Sequence, residues 1–169
     1  VAWKMALENT NTPTGLILSR QGIKDIPAKG GSRYQEALAA EKGGYLVKEV
    51  ENPDVVLIAN GSEVATLIEA AKLLEENENL KVNIASVISE GVFRLQSKEY
   101  QDSVIPKNKP LFGLTAGLPV NLEGLVGDKG KVFGLEHFGY SAPATVLDDK
   151  FGFTGDKVSQ QVLAYLKTV

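Results

Sequence analysis

Val55-Val-Leu-Ile-Ala59, the turn Asn60-Gly61, and the following Val64, Leu67, Ile68, Ala71 and Leu74 set the fold. Five apolar residues in a row, with no polar alternation, predict a strand covered on both faces. The next apolar positions recur at i, i+3, i+4 and i+7, which predicts an amphipathic helix. Asn77 to Asn79 ends it, and Val82-Asn-Ile-Ala-Ser-Val-Ile88 reads as the next strand. Strand, helix, strand at this spacing is a βαβ unit, whose crossover is expected to be right-handed.

Working outward toward the C-terminus, Glu90 to Asp102 reads as helix in two pieces around Ser97, and Pro106 and Pro110 bracket a loop. Leu111-Phe-Gly-Leu-Thr115 reads as a strand, Leu118 to Leu125 as a weak helix, Gly127-Asp-Lys-Gly130 as a turn, and Lys131 to Leu135 as the last strand. Ala144 to Lys150 is a short helix stopped by Gly152. A final helix from about Gly155 carries Val158, Val162, Tyr165, Leu166 and Val169 on one face.

Toward the N-terminus, Gly44 to Val50 alternates in part, as an edge strand does, and Tyr34 to Lys42 is a short helix ended by Gly43-Gly44. Gly22 to Arg33, with Pro27, Gly30 and Gly31, reads as a linker and domain boundary. Gly15-Leu-Ile-Leu-Ser-Arg20 reads as a short strand, after a turn over Asn9 to Pro13. Ala2 to Glu8 reads as helix in mid-course: Trp3, Ala6 and Leu7 share a face and no capping residue precedes them. The chain is therefore expected to be a fragment whose first segment continues something upstream. The whole pattern is an α/β sandwich with a mostly parallel sheet.

The bulk numbers narrow the function. The 169 residues suffice for one real core. A formal charge of −3 argues against a nucleic-acid or anionic-membrane surface. No apolar run approaches the roughly 20 residues needed to span a bilayer. Cysteine is absent, which removes disulfides, thiolate metal sites and a cysteine nucleophile.

Four places invite a chemical reading. Ser141, His137 and Asp148 or Asp149 supply the residue types of a hydrolytic triad. A nucleophile elbow needs glycine where Pro143 stands, and here the base precedes the serine, so the triad is rejected. Ser141 or Thr145 is instead expected to cap the short helix, with both aspartates on its solvated face. His137 is the only histidine and has no partners at metal-ligand spacing. Gly61-Ser-Glu-Val64 opens a helix and could take a phosphate. It lacks the spacing of a nucleotide loop, and Glu63 already complements the helix dipole, so Ser62 is expected to be a structural N-cap. Arg20 ends the first apolar run before a glycine-rich stretch, where its planar fork suits a phosphate or a surface carboxylate equally.

Taken together, Ala2-Trp3 with Ala6-Leu-Glu8, Leu18-Ser-Arg-Gln21, Gly43-Gly-Tyr45, Pro53-Asp-Val-Val-Leu-Ile58, Gly61-Ser-Glu-Val64, Phe138-Gly139, Ser141-Ala-Pro143, Val146-Leu147 and Lys150-Phe-Gly-Phe-Thr154 resemble the C-terminal end of the transketolase family. That resemblance implies a cytoplasmic, homodimeric transferase of the pentose phosphate pathway. It moves a two-carbon ketol unit between sugar phosphates, using thiamine diphosphate and a divalent metal (Mg or Ca). It implies a three-layer α/β/α sandwich around a five-stranded, mostly parallel mixed sheet. Residues 1–21 would be the tail of the pyrimidine-binding domain, 22–42 a linker, and 43–169 the C-terminal domain, where no chemistry occurs.

By the same resemblance Arg20, with Ser19 before it, grips the substrate phosphate. No catalytic, cofactor or metal residue of the family maps onto this chain. Its partners would be the upstream domains of the same enzyme and a sugar phosphate, with no nucleic acid and no membrane, and the fragment alone would be inactive. Its face toward the missing neighbours would be apolar. The sequence departs from the family pattern at Gly22-Ile23, Val87-Ile88-Ser89 and Thr115-Ala-Gly117. Two alternatives stay open: the end domain of a deoxyxylulose-phosphate synthase or two-oxoacid dehydrogenase β subunit, and a stand-alone α/β binding module.

Overall fold

The computed structural model describes residues 1–19, 22–23 and 25–169. The chain runs α1 (Ala2–Glu8), α2 (Arg33–Ala37) continued by a 3-10 turn (Leu38–Lys42), β1 (Gly44–Lys48), β2 (Val55–Ala59), α3 (Glu63–Glu78), β3 (Val82–Val87), α4 (Glu90–Arg94), α5 (Lys98–Val104), β4 (Leu111–Leu114), α6 (Val120–Val126), β5 (Lys131–Phe133), α7 (Ala144–Phe151) and α8 (Gly155–Leu166). One five-stranded sheet has the order β1-β3-β2-β4-β5. β1 runs antiparallel to β3, and every other neighbouring pair is parallel.

Side chains alternate across β2, and both sides are packed. Val55, Leu57 and Ala59 join a core with Leu67, Ala71 and Leu74 of α3 and Val158 and Val162 of α8. Val56 and Ile58 join a second core with Phe93, Val104, Leu122 and Leu125, supplied by α4, α5 and α6. All five β2 residues are fully buried. The continuous apolar run is thus the middle of three layers, α/β/α.

Polar groups fix the margins. Asn83 is buried in β3, and its Oδ1 accepts a 2.7 Å hydrogen bond from Val50 N just past the irregular end of β1. Gly43 ends the 3-10 turn at φ 81°, and a Cβ there would stand 2.4 Å from Phe93 N. Ser89, Ser97 and Thr154 accept from Val92 N, Tyr100 N and Lys157 N and cap α4, α5 and α8.

Some expectations are corrected. Gly15 to Ser19 is not a strand: among the described residues the sheet is built from β1 to β5, and this run is not one of them. Ser62 does not cap α3. Gly61 turns the chain at φ 57° and leaves Ser62 already helical, so its hydroxyl instead donates to Glu63 Oε1 at 2.7 Å. Neither Ser141 nor Thr145 caps α7, because Pro143 is the N-cap and its carbonyl accepts from Val146 N and Leu147 N. Val169 is not on the buried face of α8, which ends at Leu166, and it is exposed.

Candidate functional site

Order reversal marks one edge of the sheet. From β2 the chain crosses through α3 to β3 on one side, then returns past β2 to β4 on the other. The carboxyl ends of β2 and β4 therefore flank the crevice where ligands of open α/β sheets bind. Two clefts open there. One, about 520 Å3, is walled by Ser62, Glu63, Ala116, Leu135, Leu147 and Phe151, with Ile23 on its margin. The other, about 460 Å3, places Ile17, Leu18 and Ser19 against Asn60, Gly61 and Ile88. Ser62 and Glu63 line both.

The stretch from His137 to Thr154 walls the first cleft through Gly139, Leu147, Asp148, Phe151 and Phe153. The triad residues do not assemble. His137 Nδ1 lies 2.8 Å from Phe138 O, its ring packs on Phe151 at 5.1 Å, and Asp149 pairs with Lys157 at 2.9 Å. Tyr140 stacks on Phe151, and Lys150 stands over the Tyr140 ring. This is an aromatic wall rather than a proton relay.

Electrostatics restrict what the clefts hold. Among their described lining residues the charged ones are Glu63 and Asp148, both carboxylates. Glu63 sits in the first turn of α3, where an anion would otherwise find free N–H groups. A phosphate in the second cleft therefore depends on a cation from outside that set. Ser19 lines this cleft, and Arg20 lies outside the described residues. Among the described residues no group of three His, Cys, Asp or Glu could hold a metal ion.

The groups that titrate away from their ordinary values are elsewhere. Glu99 is held low by its backbone hydrogen bond and Ser97, Tyr100 is raised by burial, and Lys107 is lowered by burial and then by Lys98 and Arg94. None lines either cleft. Nothing in the sequence marked Ile23, Asn60, Leu147 and Phe151 as cleft walls, because segments distant in sequence build the clefts together.

Among the described residues no helix is long and apolar enough to cross a membrane. The model of the transketolase-like C-terminal domain matches residues 43–154. A transketolase of Staphylococcus aureus (strain MW2) is 37% identical over 168 residues, 97% of this chain and 24% of its own length. A transketolase of Bacillus subtilis (strain 168) is 37% identical over 169 residues, 98% of this chain and 25% of its own. A crystal structure of a mutant transketolase from Pichia stipitis superimposes with a TM-score of 0.87 at 30% identity, over 99% of this chain and 23% of that one. The chain thus spans about a quarter of the length of the relatives it matches. With a family model lying over all five strands of the sheet, and relatives 37% identical along nearly the whole chain, the chain belongs to the transketolase family and carries its C-terminal domain.

Proposed function

We propose that this chain works as the C-terminal part of a longer, thiamine-diphosphate-dependent transketolase that moves a two-carbon ketol unit between sugar phosphates in the cytoplasm. The observation that carries the reading is the family match together with the share of each relative the chain covers. Residues 1–21 belong to the tail of the preceding pyrimidine-binding domain, 22–42 are the linker, and 43–169 are the C-terminal domain. The cofactor, its metal (Mg or Ca) and the acid–base groups sit upstream, so the chain alone does not turn over. The cofactor supplies the carbanion chemistry when bound upstream, and this domain organises the assembly.

Arg20 and Ser19 hold the substrate phosphate. Ser19 lines the second switch-point cleft, whose one charged residue among the described lining is Glu63, a carboxylate, so the arginine supplies the positive charge that a phosphate there needs. Exposed Trp3, Ile17, Leu18 and Phe138 support docking of this part onto the upstream domains of a homodimeric enzyme.

The test is Arg20→Ala in the longer enzyme. Loss of a charge-assisted contact worth about 1.5–3 kcal/mol should raise KM for sugar phosphates by roughly 10- to 150-fold. Turnover of a phosphate-free hydroxyaldehyde and the affinity for thiamine diphosphate should stay as they were. Equal kinetics for the two proteins would overturn the assignment.

A further inference from the structure

Four lysines converge at the edge of the sheet opposite the two clefts. A basin of about 740 Å3 opens at the amino ends of β4 and β5. Lys107 and Lys109 reach it from the loop before β4, and Lys129 and Lys131 from the turn into β5. Asp128 is the one carboxylate among the described residues that line it. Four lysines around one carboxylate leave the basin net positive, which is unexpected on a chain of formal charge −3.

Most of the other described lysines are engaged. Lys4, Lys29, Lys48, Lys72, Lys98 and Lys157 each pair with a carboxylate, Lys42 and Lys150 stand over aromatic rings, and Lys81 and Lys167, which lie outside the basin, form no ion pair among the described residues. The basin lysines form no ion pair among the described residues. Lys107 Nζ donates to Leu125 O at 2.7 Å. Burial, and then the positive charges of Lys98 and Arg94, hold its pKa below the ordinary lysine value, so an incoming anion relieves it.

The two loops are locked to each other. The Tyr165 hydroxyl accepts from Leu111 N at 3.2 Å and donates to Lys129 O at 2.9 Å. One buried side chain thereby fixes the segment carrying Lys109 against the turn carrying Lys129, and such preorganisation lowers the entropy lost on binding. Pro110, Leu111 and Val126 give the basin an apolar wall, and its volume falls within the roughly 300–1,000 Å3 of small-ligand pockets.

We propose that this basin binds a small molecule bearing a di- or triphosphate on a nucleoside-sized body, with the lysines on the phosphates and the apolar wall on the body. A concave basin of this size on an acidic chain suits a compact ligand better than a nucleic-acid strand, which needs an extended basic track.

The test titrates the 169-residue chain calorimetrically with ATP, inorganic tripolyphosphate and adenosine at about 50 and 200 mM salt, the range over which phosphate contacts lose affinity. Saturable one-site binding of ATP, weakening with salt and tighter than that of tripolyphosphate, is expected, with no measurable binding of adenosine. The double variant Lys109→Glu/Lys131→Glu should weaken ATP binding at least about 10-fold with an unchanged melting temperature, since each lost charge contact is worth roughly that factor. Lys72→Glu, on the far side of α3, should leave binding unchanged. Absence of saturable binding, equal weakening by Lys72→Glu, or undiminished binding by the double variant would overturn the site. Equal affinity for tripolyphosphate and ATP would overturn the nucleoside part of the assignment.

Discussion

Gly155 lies so close to Glu69 that a Cβ on the glycine would stand 2.6 Å from the Cβ of Glu69. The same carbon would meet Ala70 N at 3.2 Å, so part of the obstruction is backbone. Here the first turn of α8 rests on α3, and the two helices together cover one face of the sheet. Gly155→Ala must push them apart. It should cost about 1–3 kcal/mol, the usual penalty for overpacking. At roughly 2–4 °C per kcal/mol for a chain of this size, a fall in Tm with an unchanged urea m-value is the expected readout. A variant as stable as the parent would show that the contact is relieved without cost.

Tyr165→Phe removes one oxygen and leaves two partners behind. Leu111 N is buried at the entrance to β4 and would lose its acceptor, at about 1–3 kcal/mol for an unsatisfied buried donor. The ring itself keeps its place against Phe112, at a centroid distance of 6.2 Å, so packing should be little changed. Amide exchange should accelerate at Leu111 more than at Leu57 in the centre of the sheet. Uniform acceleration at both would point to global destabilisation instead.

What the sequence made legible followed from burial. Val55–Ala59 had to be apolar at every position because both faces are packed, and α3 had to repeat with helical period because one face is. Gly15 to Ser19 has similar composition but is not one of the five strands, because strand formation depends on tertiary context as well as on the run. Ser62 is a good capping residue by type, yet the φ of 57° at Gly61 decides its conformation. Ser89, Ser97 and Thr154 cap because their own backbones are extended. The family resemblance was legible from ordered motifs spread along the chain. The cleft walls and the lysine basin were not, because Leu147 and Ser62 come to line one cleft, and Lys107 and Lys131 one basin, only after the layers are assembled.

Alkaline pH should separate two groups, Tyr100 in the first turn of α5 and Lys107 beyond its last. Burial raises the Tyr100 pKa above the ordinary value of 10.0, and the hydroxyl donates to Gly44 O at 2.8 Å. The folded state therefore keeps its proton where the unfolded chain loses it. The stability this gives is complete below the unfolded value and is lost as pH rises toward the folded one. Lys107 has the opposite sign: its folded pKa lies below 10.5, so stability rises as pH climbs from the folded value toward the unfolded one. Tyr100→Phe should lower stability near neutral pH by about 0.5–1.5 kcal/mol, the worth of one hydrogen bond. It should also flatten the decline above pH 10, as measured by urea midpoints across that range. A decline as steep as in the parent would assign the alkaline loss to other groups.

The two faces of the sheet should respond independently. Val162 on α8 belongs to the core shared with α3, and Val104 on α5 belongs to the core on the other side. Both are almost wholly buried. Each valine-to-alanine change removes two methyl groups, worth about 1.6 kcal/mol in transfer alone at ~0.8 kcal/mol per buried carbon, with a cavity term added. The strands between them are close-packed on both sides, so relaxation around one cavity has no shared side chain through which to reach the other. Val162→Ala and Val104→Ala combined should therefore equal the sum of the single changes within about 0.5 kcal/mol by urea unfolding. A coupling above about 1 kcal/mol would mean that the sheet deforms as a unit and transmits strain between its faces.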